Sequence, residues 1–262
     1  MKPARSGVIV TGASSGIGAV YADRLAARGH DLILIARRGE RLDALATRLG
    51  SKYRSDVQTV VADLANDNDL TQVEALIART ANLGGVVNAA GLGALGLASS
   101  VDPEAVDSLI RVNVLALTRL SLAAARRFGA EGHGTIVNIG SIVALMPVAG
   151  AGAYSGSKAY VLNFTRALHA ELAPAGVIVQ AVMPGPVRTE FFGDAPAPFP
   201  DALFMTPETL VDTALRALDQ GEAVCFPTLD DPGTWQTFEG ARGQLVKAVM
   251  QSGQPAARYS RG

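Results

Sequence analysis

The sequence has one cysteine, almost no net charge and no long apolar run. Cys225 has no second cysteine with which to form an internal disulfide, and its apolar neighbours predict an unreactive core residue. A net charge of −1 gives no electrostatic basis for binding nucleic acid or a membrane surface. No apolar stretch reaches the ~18 residues of a membrane span, and the first residues lack the apolar segment of a signal peptide. We therefore expect a soluble, cytoplasmic protein without nucleic-acid or membrane partners.

Histidine is also scarce. His30, His133 and His169 are scattered along the chain, outside any motif with the spacing of metal ligands. We therefore expect structural or surface histidines and no metal site.

Short apolar runs that alternate with helical patterns dominate the chain instead. The predicted strands are Gly7–Val10, Asp31–Ala36, Val57–Val61, Gly85–Val87, Gly134–Ile139, Val177–Val182 and Ala223–Phe226. Continuous apolar strands between helices are typical of a parallel sheet buried on both faces. The pattern predicts an α/β protein with one doubly wound sheet of seven parallel strands and helices on both faces. No linker is visible, so we predict a single domain over residues 1–262, with a substrate lid at about 190–206 and a flexible tail at about 252–262.

The first predicted strand ends in a glycine-rich turn. This turn reads T-G-A-S-S-G-I-G from Thr11 to Gly18, and a helical pattern follows at once. Such a turn brings backbone N–H groups and a helix N-terminus close to an anion. Gly12, Gly16 and Gly18 would remove the side chains that block the approach. The turn therefore predicts a phosphate site, with an ordinary loop as the alternative.

The second predicted strand ends without an acidic residue. In dinucleotide sites this strand end lies about 20 residues after the glycines and meets the adenosine ribose, where a carboxylate accepts hydrogen bonds from a free 2′-hydroxyl. Here Ala36 is followed by Arg37 and Arg38, whose guanidinium groups can pair with a phosphate. The pattern favours NADP(H) over NAD(H). The alternative is that these arginines, with Arg41, cover the start of an exposed helix.

A tyrosine and a lysine lie four residues apart in a predicted helix. Tyr154 and Lys158 would share one face of the helix Gly152–Leu172. A pair of this kind is usually solvated, but the segment before it is nearly uncharged and rich in small residues. Asn113 is out of place in a similar way, because it interrupts a long apolar helical pattern and Asn disfavours helix interiors.

In their order along the chain, these motifs resemble the short-chain dehydrogenase/reductase family, in its short single-domain branch. The matching elements are T-G-A-S-S-G-I-G, N-A-A-G (Asn88–Gly91), Asn113, Ser141, Y-S-G-S-K (Tyr154–Lys158) and P-G-P-V-R-T (Pro184–Thr189). The resemblance covers residues 7–226. It implies a Rossmann fold that binds NAD(P) and transfers hydride at a carbonyl or alcohol group.

The resemblance also implies a role for each matched residue. Tyr154 is similar to the catalytic acid/base, and Lys158 to the residue that holds the nicotinamide ribose and lowers the tyrosine pKa. Ser141 is similar to the residue that hydrogen-bonds the substrate oxygen, and Asn113 to one that anchors a water molecule in a proton relay. Besides Tyr154 and Lys158, the implied cofactor contacts are Gly12, Ser14, Ser15, Gly16, Ile17, Gly18, Arg37, Arg38, Asp63, Leu64, Asn88, Ala89, Gly91, Pro184, Gly185, Val187 and Thr189.

The sequence therefore predicts an NADP(H)-dependent oxidoreductase acting on a small carbonyl or secondary alcohol. A 3-ketoacyl-thioester reductase shares every motif and stays open as an alternative. A non-catalytic NADP(H)-sensing protein is disfavoured because Tyr154 and Lys158 are both present. The resemblance implies a homodimer or homotetramer. The apolar candidates for the substrate pocket are Leu92, Val143, Val148, Phe191 and Phe192.

Overall fold

The computed structural model describes residues 5–192, 199–250 and 252–259. Seven parallel strands within these residues form one sheet in the order β3-β2-β1-β4-β5-β6-β7. This arrangement confirms the predicted α/β fold. The strands are β1 (Gly7–Thr11), β2 (Asp31–Ala36), β3 (Val57–Val61), β4 (Leu83–Asn88), β5 (Gly134–Ile139), β6 (Val177–Val182) and β7 (Val224–Cys225).

The first strand lies inside the sheet, between β2 and β4. Val10 pairs with Leu34 of β2 on one side and with Val87 of β4 on the other. The chain builds the sheet outwards from β1 to β3 and then returns to the other side of β1. A crevice opens beyond the carboxyl ends of the strands where the order reverses, and ligands bind there in doubly wound sheets. The predicted motifs follow strands at this same edge.

Eight α-helices among the described residues cover the sheet. They are α1 (Gly16–Ala27), α2 (Gly39–Tyr53), α3 (Asp67–Arg79), α4 (Pro103–Ile110), α5 (Leu117–Glu131), α6 (Gly152–Leu172), α7 (Pro207–Asp219) and α8 (Pro232–Val249). The core consists of two apolar clusters. Val8 and Val10 belong to the cluster that holds α1, α2 and α7, whereas Ile9 belongs to the cluster of α3, α5 and α6. This division follows from the strand geometry, because successive side chains point to opposite faces.

Local sequence signals fix where several helices begin. The side chain of Asp102 accepts a hydrogen bond from the N–H of Glu104, and Pro103 opens α4. Asn66 caps α3 by accepting from the N–H groups of Asn68 and Asp69. The apolar pattern alone predicts a start at Thr71. The helix begins earlier because its first turn is capped by polar residues and carries no apolar signal.

The long helical pattern after Pro103 is interrupted by a π-helical segment. Arg111–Ala116 joins α4 to α5 in one continuous helix, Pro103–Glu131. Single π turns inside α-helices are rare and often lie at functional sites. Within the described residues this is the one helix long and apolar enough to cross a membrane, but half of its apolar window is buried in the protein. Buried core helices share these properties, so the feature is weak evidence for a membrane span.

The chain divides into two compact units, Met1–Pro227 and Thr228–Gly262. The first unit contains the sheet and α1–α7. The second unit contains α8, in which no residue is buried and the rings of Trp235 and Phe238 stack at 5.5 Å. The single domain and the flexible tail stay predictions.

Candidate active site

The turn after β1 brings two pieces of backbone unusually close together. Gly12 has a φ of +67°, and a Cβ atom there would lie 2.8 Å from backbone atoms of Ala90. A Cβ atom on Gly18 would lie 2.4 Å from the carbonyl oxygen of Gly12, so α1 packs this closely only with glycine. Among the described residues, the Ser15 side chain makes no capping hydrogen bond to α1. A backbone-lined turn at an uncapped helix N-terminus fits the pyrophosphate of a dinucleotide.

Thr11 ties this turn to the end of β4. Its buried hydroxyl group accepts hydrogen bonds from the N–H groups of Ala89 and Ala90, both at 3.1 Å. The glycine turn and the N-A-A-G loop are therefore held as one unit. No sequence motif assigns Thr11 a role of its own. Its position as the last residue of β1, directly before the first glycine, is the signal that could have identified it.

Arg38 lies against the glycine turn. Its guanidinium group donates hydrogen bonds to the Ser14 hydroxyl at 3.0 and 3.1 Å and to the Ser15 hydroxyl at 2.6 Å. Arg37 is exposed and forms no hydrogen bond or ion pair with any described residue. Of the two arginines after β2, the structure thus brings Arg38 to the predicted phosphate site. The predicted contact from Arg37 stays a prediction.

The end of β3 borders the same side of the crevice. The N–H of Ala62 donates to the carbonyl oxygen of Ala36, which aligns the ends of β3 and β2. Asp63 is half-buried, and its carboxylate accepts a hydrogen bond from the N–H of Ala65 at 3.0 Å. Leu64 is buried. These contacts shape the turn in which Asp63 and Leu64 are predicted to contact the cofactor.

The structure brings Ser141, Tyr154 and Lys158 together at the end of β5. The Ser141 hydroxyl group lies beside the Tyr154 phenol. The Lys158 ammonium group is buried, donates to the carbonyl oxygen of Ile139 at 2.9 Å and lies 5.6 Å from the centre of the Tyr154 ring. The i, i+4 spacing in α6 thus places both side chains towards the sheet edge.

Burial controls the pKa values of both α6 side chains. It raises the pKa of Tyr154 to about 12, although the nearby Ser141 hydroxyl group acts in the opposite direction. It lowers the pKa of Lys158 to about 8. Desolvation of the phenolate outweighs its stabilisation by nearby groups, so the net shift of the Tyr154 pKa is upwards. The expectation that Lys158 lowers the tyrosine pKa stays a prediction.

Asn113 lies in the π segment and holds the loop after β4. Its amide oxygen accepts from the N–H of Leu92 at 2.8 Å, and its amide nitrogen donates to the Leu92 carbonyl at 2.9 Å and to the Ser157 hydroxyl at 3.3 Å. Gly91 lies between, since a Cβ atom there would be 3.5 Å from the Asn113 oxygen and 3.8 Å from Lys158 Nζ. Asn113 is thus a positioning residue here, and its proton-relay role stays a prediction.

The side chain of Asn88 lies in a buried polar network. Its amide nitrogen donates to the Ser121 hydroxyl at 3.1 Å and to the Asn138 side-chain oxygen at 2.9 Å, and Asn138 donates to Thr165 at 3.0 Å. Its side-chain oxygen is buried and has no partner among the described residues. The cofactor contact predicted for Asn88 stays a prediction. Such a contact would have to come from its backbone, because the side chain joins β4 to β5 and α5.

The P-G-P-V-R-T segment after β6 spans the crevice. At one end, the Pro184 carbonyl accepts hydrogen bonds from the Ser141 hydroxyl at 3.4 Å and from the N–H of Ile142 at 3.0 Å. At the other end, the Thr189 methyl group lies 3.0 Å from where a Cβ atom on Gly16 would be. The segment, including Gly185 and buried Val187, thus runs from the catalytic serine to the glycine turn.

Both ends of the predicted lid are attached near this segment. Val187 and Met205 form a parallel bridge, and the N–H of Arg188 donates to the Met205 carbonyl at 2.9 Å. The ring of Phe191 lies 5.3 Å from the ring of Tyr154. Residues 193–198 and the side chain of Phe192 lie outside the described residues, so the lid stays a prediction.

Exposed apolar side chains lie on two loops that border the Tyr154 end of the crevice, one after β4 and one after β5. A 2.8 Å hydrogen bond from the N–H of Gly96 to the Gly150 carbonyl joins the two loops. Leu92, Val143 and Val148 are half-buried on these loops. The exposed apolar residues are Leu95, Leu97, Ile142, Leu145 and Met146. The rim of the site is therefore apolar.

Cys225 and the metal-binding residue types lie apart from this chemistry. Burial raises the pKa of the Cys225 thiol to about 12, so it stays protonated. In the part of the chain that the structure describes, no group of three His, Cys, Asp or Glu side chains could hold a metal ion.

Hydride transfer needs a dinucleotide and a proton donor at one place, and the crevice beyond β1 and β4 brings together residues suited to both. The class of protein defined in this way is an oxidoreductase that uses a nicotinamide cofactor. The family follows from comparison with known sequences, in which the family model for short chain dehydrogenases matches residues 6–198. The chain belongs to this family, as the order of its motifs indicates.

Three relatives illustrate the range of the similarity. A short-chain dehydrogenase from Sphingobium yanoikuyae, solved with NADPH, is 42% identical with a TM-score of 0.92, over 97% of this chain and 100% of that one. A bulky-bulky ketone specific alcohol dehydrogenase from Comamonas testosteroni is 38% identical with a TM-score of 0.89, over 98% and 99%. A very-long-chain 3-oxoacyl-CoA reductase from Anas platyrhynchos is 32% identical over 79% of this chain and 67% of that protein.

Proposed function

We propose that the protein is an NADP(H)-dependent reductase of apolar ketones, which also oxidises the corresponding secondary alcohols. The observation that carries this proposal is that the hydroxyl groups of Ser141 and Tyr154 lie close together beside the buried Lys158. Two hydroxyl groups held together at an apolar rim can both reach one carbonyl oxygen.

The chemistry follows from the charge that develops during reduction. The nicotinamide supplies the hydride when it is bound. As negative charge builds on the carbonyl oxygen, Ser141 donates a hydrogen bond and Tyr154 transfers its proton. A tyrosine pKa of about 12 keeps this proton in place at neutral pH, which favours reduction. Lys158 in its charged form stabilises the tyrosinate as it forms.

The proposed preference for NADP(H) rests on cationic groups beside the glycine turn. Arg38 contacts this turn directly, and Arg41 follows in the first turn of α2. Guanidinium groups pair well with phosphate, and the end of β2 has no carboxylate to repel it. The similar dehydrogenase from Sphingobium yanoikuyae was solved with NADPH, which agrees with this preference.

The proposed substrate class is a ketone with apolar groups on both sides of the carbonyl. The exposed apolar side chains around Tyr154 support it, since they would lose contact with water when such a substrate binds. A 3-ketoacyl thioester is the second candidate, favoured by the 32% identity with a very-long-chain 3-oxoacyl-CoA reductase.

We also propose a homodimer or homotetramer. Ile110, Leu115 and Leu122 on the long helix and Tyr160 on α6 are partly exposed, and such apolar faces often lie in subunit interfaces. Cytoplasmic localisation stays a prediction.

A turnover assay tests the proposed function. The change in nicotinamide absorbance is followed with NADPH and, in parallel, NADH, against ketones with two bulky substituents and against 3-oxoacyl-CoA thioesters. We expect higher kcat/KM for the ketones and for NADPH. Faster turnover of the thioesters would favour the second candidate, and NADPH binding without turnover of either class would contradict the proposal.

A further inference from the structure

Glu190, the first residue of the predicted lid, holds the arginines of the proposed phosphate site. Its carboxylate accepts a hydrogen bond from Arg38 Nη1 at 2.7 Å. It also accepts two from Arg41 Nη1, at 2.6 and 2.9 Å. The residues are far apart in sequence, so the contact joins the end of β2 and the start of α2 to the segment after β6.

A carboxylate and a phosphate use the same guanidinium donors. Both offer oxygen acceptors that match the N–H groups of arginine. A 2′-phosphate that binds Arg38 and Arg41 therefore competes with Glu190 for the same Nη1 groups. All three side chains are exposed, so their ion pairs are weak and a ligand with greater charge can displace Glu190.

The residue after Glu190 lies on the catalytic tyrosine. The ring of Phe191 is 5.3 Å from that of Tyr154, and its Cζ atom would be 2.8 Å from a Cβ atom on Gly93. The ring therefore packs between the tyrosine and the loop after β4. While Glu190 is bound to the arginines, the adjacent backbone holds Phe191 in this position.

We propose that Glu190 is an internal competitor for the 2′-phosphate of NADP(H), and that the cofactor displaces it and moves Phe191 away from Tyr154. This inference rests on the proposed preference for NADP(H). NADH has no 2′-phosphate and leaves the ion pairs of Glu190 intact. Binding of the 2′-phosphate would thus allow the substrate to reach Tyr154, the proposed proton donor.

Binding of NADPH and NADH to Glu190→Gln tests the competition. Glutamine keeps the shape of the side chain and removes its charge. We expect NADPH to bind about three- to tenfold more tightly, because two weak exposed ion pairs no longer compete, and NADH affinity to be unchanged. Isothermal titration calorimetry on the full chain measures both dissociation constants, and circular dichroism checks that the variant is folded.

Glu208→Gln is the matched control. Glu208 lines the same cavity of about 490 Å³ as Glu190, but its side chain forms no ion pair or hydrogen bond with the described residues. We expect it to leave both dissociation constants unchanged. An equal gain in NADPH affinity from both variants would reflect general electrostatics and would overturn the inference.

The two proposals fail in different ways. Suppose that the unaltered protein prefers NADPH but Glu190→Gln leaves the ratio of the NADPH and NADH dissociation constants unchanged. The inference about Glu190 is then wrong, and the cofactor preference stands. If the unaltered protein prefers NADH but Glu190→Gln still tightens NADPH, the preference is wrong and the competition stands.

Phe191→Ala tests the coupling to the catalytic tyrosine. If NADPH must move the ring away from Tyr154, removal of the ring tightens NADPH binding and leaves NADH binding unchanged. An unchanged dissociation constant for NADPH would show that Glu190 competes without moving Phe191.

Discussion

The hydroxyl groups of Ser141 and Tyr154 lie close together although they come from different elements, the end of β5 and the first turn of α6. Each hydroxyl group is thereby directed to the same small region of the crevice. This is the arrangement that a carbonyl oxygen needs when it gains negative charge, because it then accepts a proton and a hydrogen bond together.

Replacing Tyr154 with Phe removes the proposed proton donor and keeps the ring. We expect kcat for ketone reduction to fall by about a hundred- to ten-thousandfold, the usual contribution of general acid catalysis. NADPH binding should persist, as measured by calorimetry. Turnover close to that of the unaltered protein would mean that another group donates the proton.

The pH dependence of reduction should follow Lys158. Its lowered pKa of about 8 means that the ammonium form is present below this pH and is lost above it. Because the charged form stabilises the tyrosinate, kcat/KM should decrease as the pH rises through about 8. Lys158→Arg keeps its charge and should give a lower but flat profile over the same range. If kcat/KM falls at the same pH in the unaltered protein and in Lys158→Arg, a group other than Lys158 is responsible for the titration.

The two arginines after β2 should contribute unequally to NADPH binding. Arg38→Ala removes a guanidinium group that contacts the glycine turn, and we expect about a tenfold increase in the dissociation constant. Arg37→Ala, on an exposed side chain, is the matched comparison. Arg37→Asp should still shift preference towards NADH, because it places a negative charge near the strand end. A larger loss of NADPH affinity from Arg37→Ala than from Arg38→Ala would assign the main phosphate contact to Arg37.

Gly12→Ala should destabilise the fold. Alanine at a φ of +67° costs about 1–2 kcal/mol, and its Cβ atom would also meet Ala90 at 2.8 Å. Gly156→Ala is a control within α6, where a Cβ atom would meet nothing within 4 Å. We expect that change to stabilise by about 0.5–1 kcal/mol, as for an exposed helical site. Urea unfolding measures the free energy of unfolding of both variants. Equal changes in the two variants would contradict the steric argument.

Asn88→Ala should lower stability more than cofactor affinity. It leaves partners in the buried network unpaired, which costs about 1–3 kcal/mol of unfolding free energy. The NADPH dissociation constant of the folded variant should be unchanged, because the side chain lies within the core. Normal stability together with weak NADPH binding would show that this side chain contacts the cofactor.

The sequence predicted the sheet well because most of its strands are buried on both faces. β2, β5 and β6 are largely apolar and buried, and the predicted bounds of these strands and of β3 agree with the structure. The place of Asn88 was predictable too. It shares a strand face with Val86, which packs in the cluster of α5, whereas Val87 packs in the other cluster.

Contacts between distant segments left no signal in the sequence. The Ser141, Tyr154 and Lys158 cluster could be expected from the family resemblance. The position of Glu190 on Arg38 and Arg41 could not, because it depends on how the segment after β6 crosses the sheet edge. The direction of the Tyr154 pKa shift was also inaccessible, since it depends on the extent of burial.

The π segment at Arg111–Ala116 changes the directions in which the side chains of the following helix point. Each residue of an α-helix advances the side chains by about 100° around the axis. An extra residue in a wider turn therefore rotates the side chains of all later helical residues by about 100° around the helix axis. The direction of the helix axis need not change. Deleting one residue from this segment would restore a regular helix, and either Asn113 or the core-facing side of α5 would turn away from its partners.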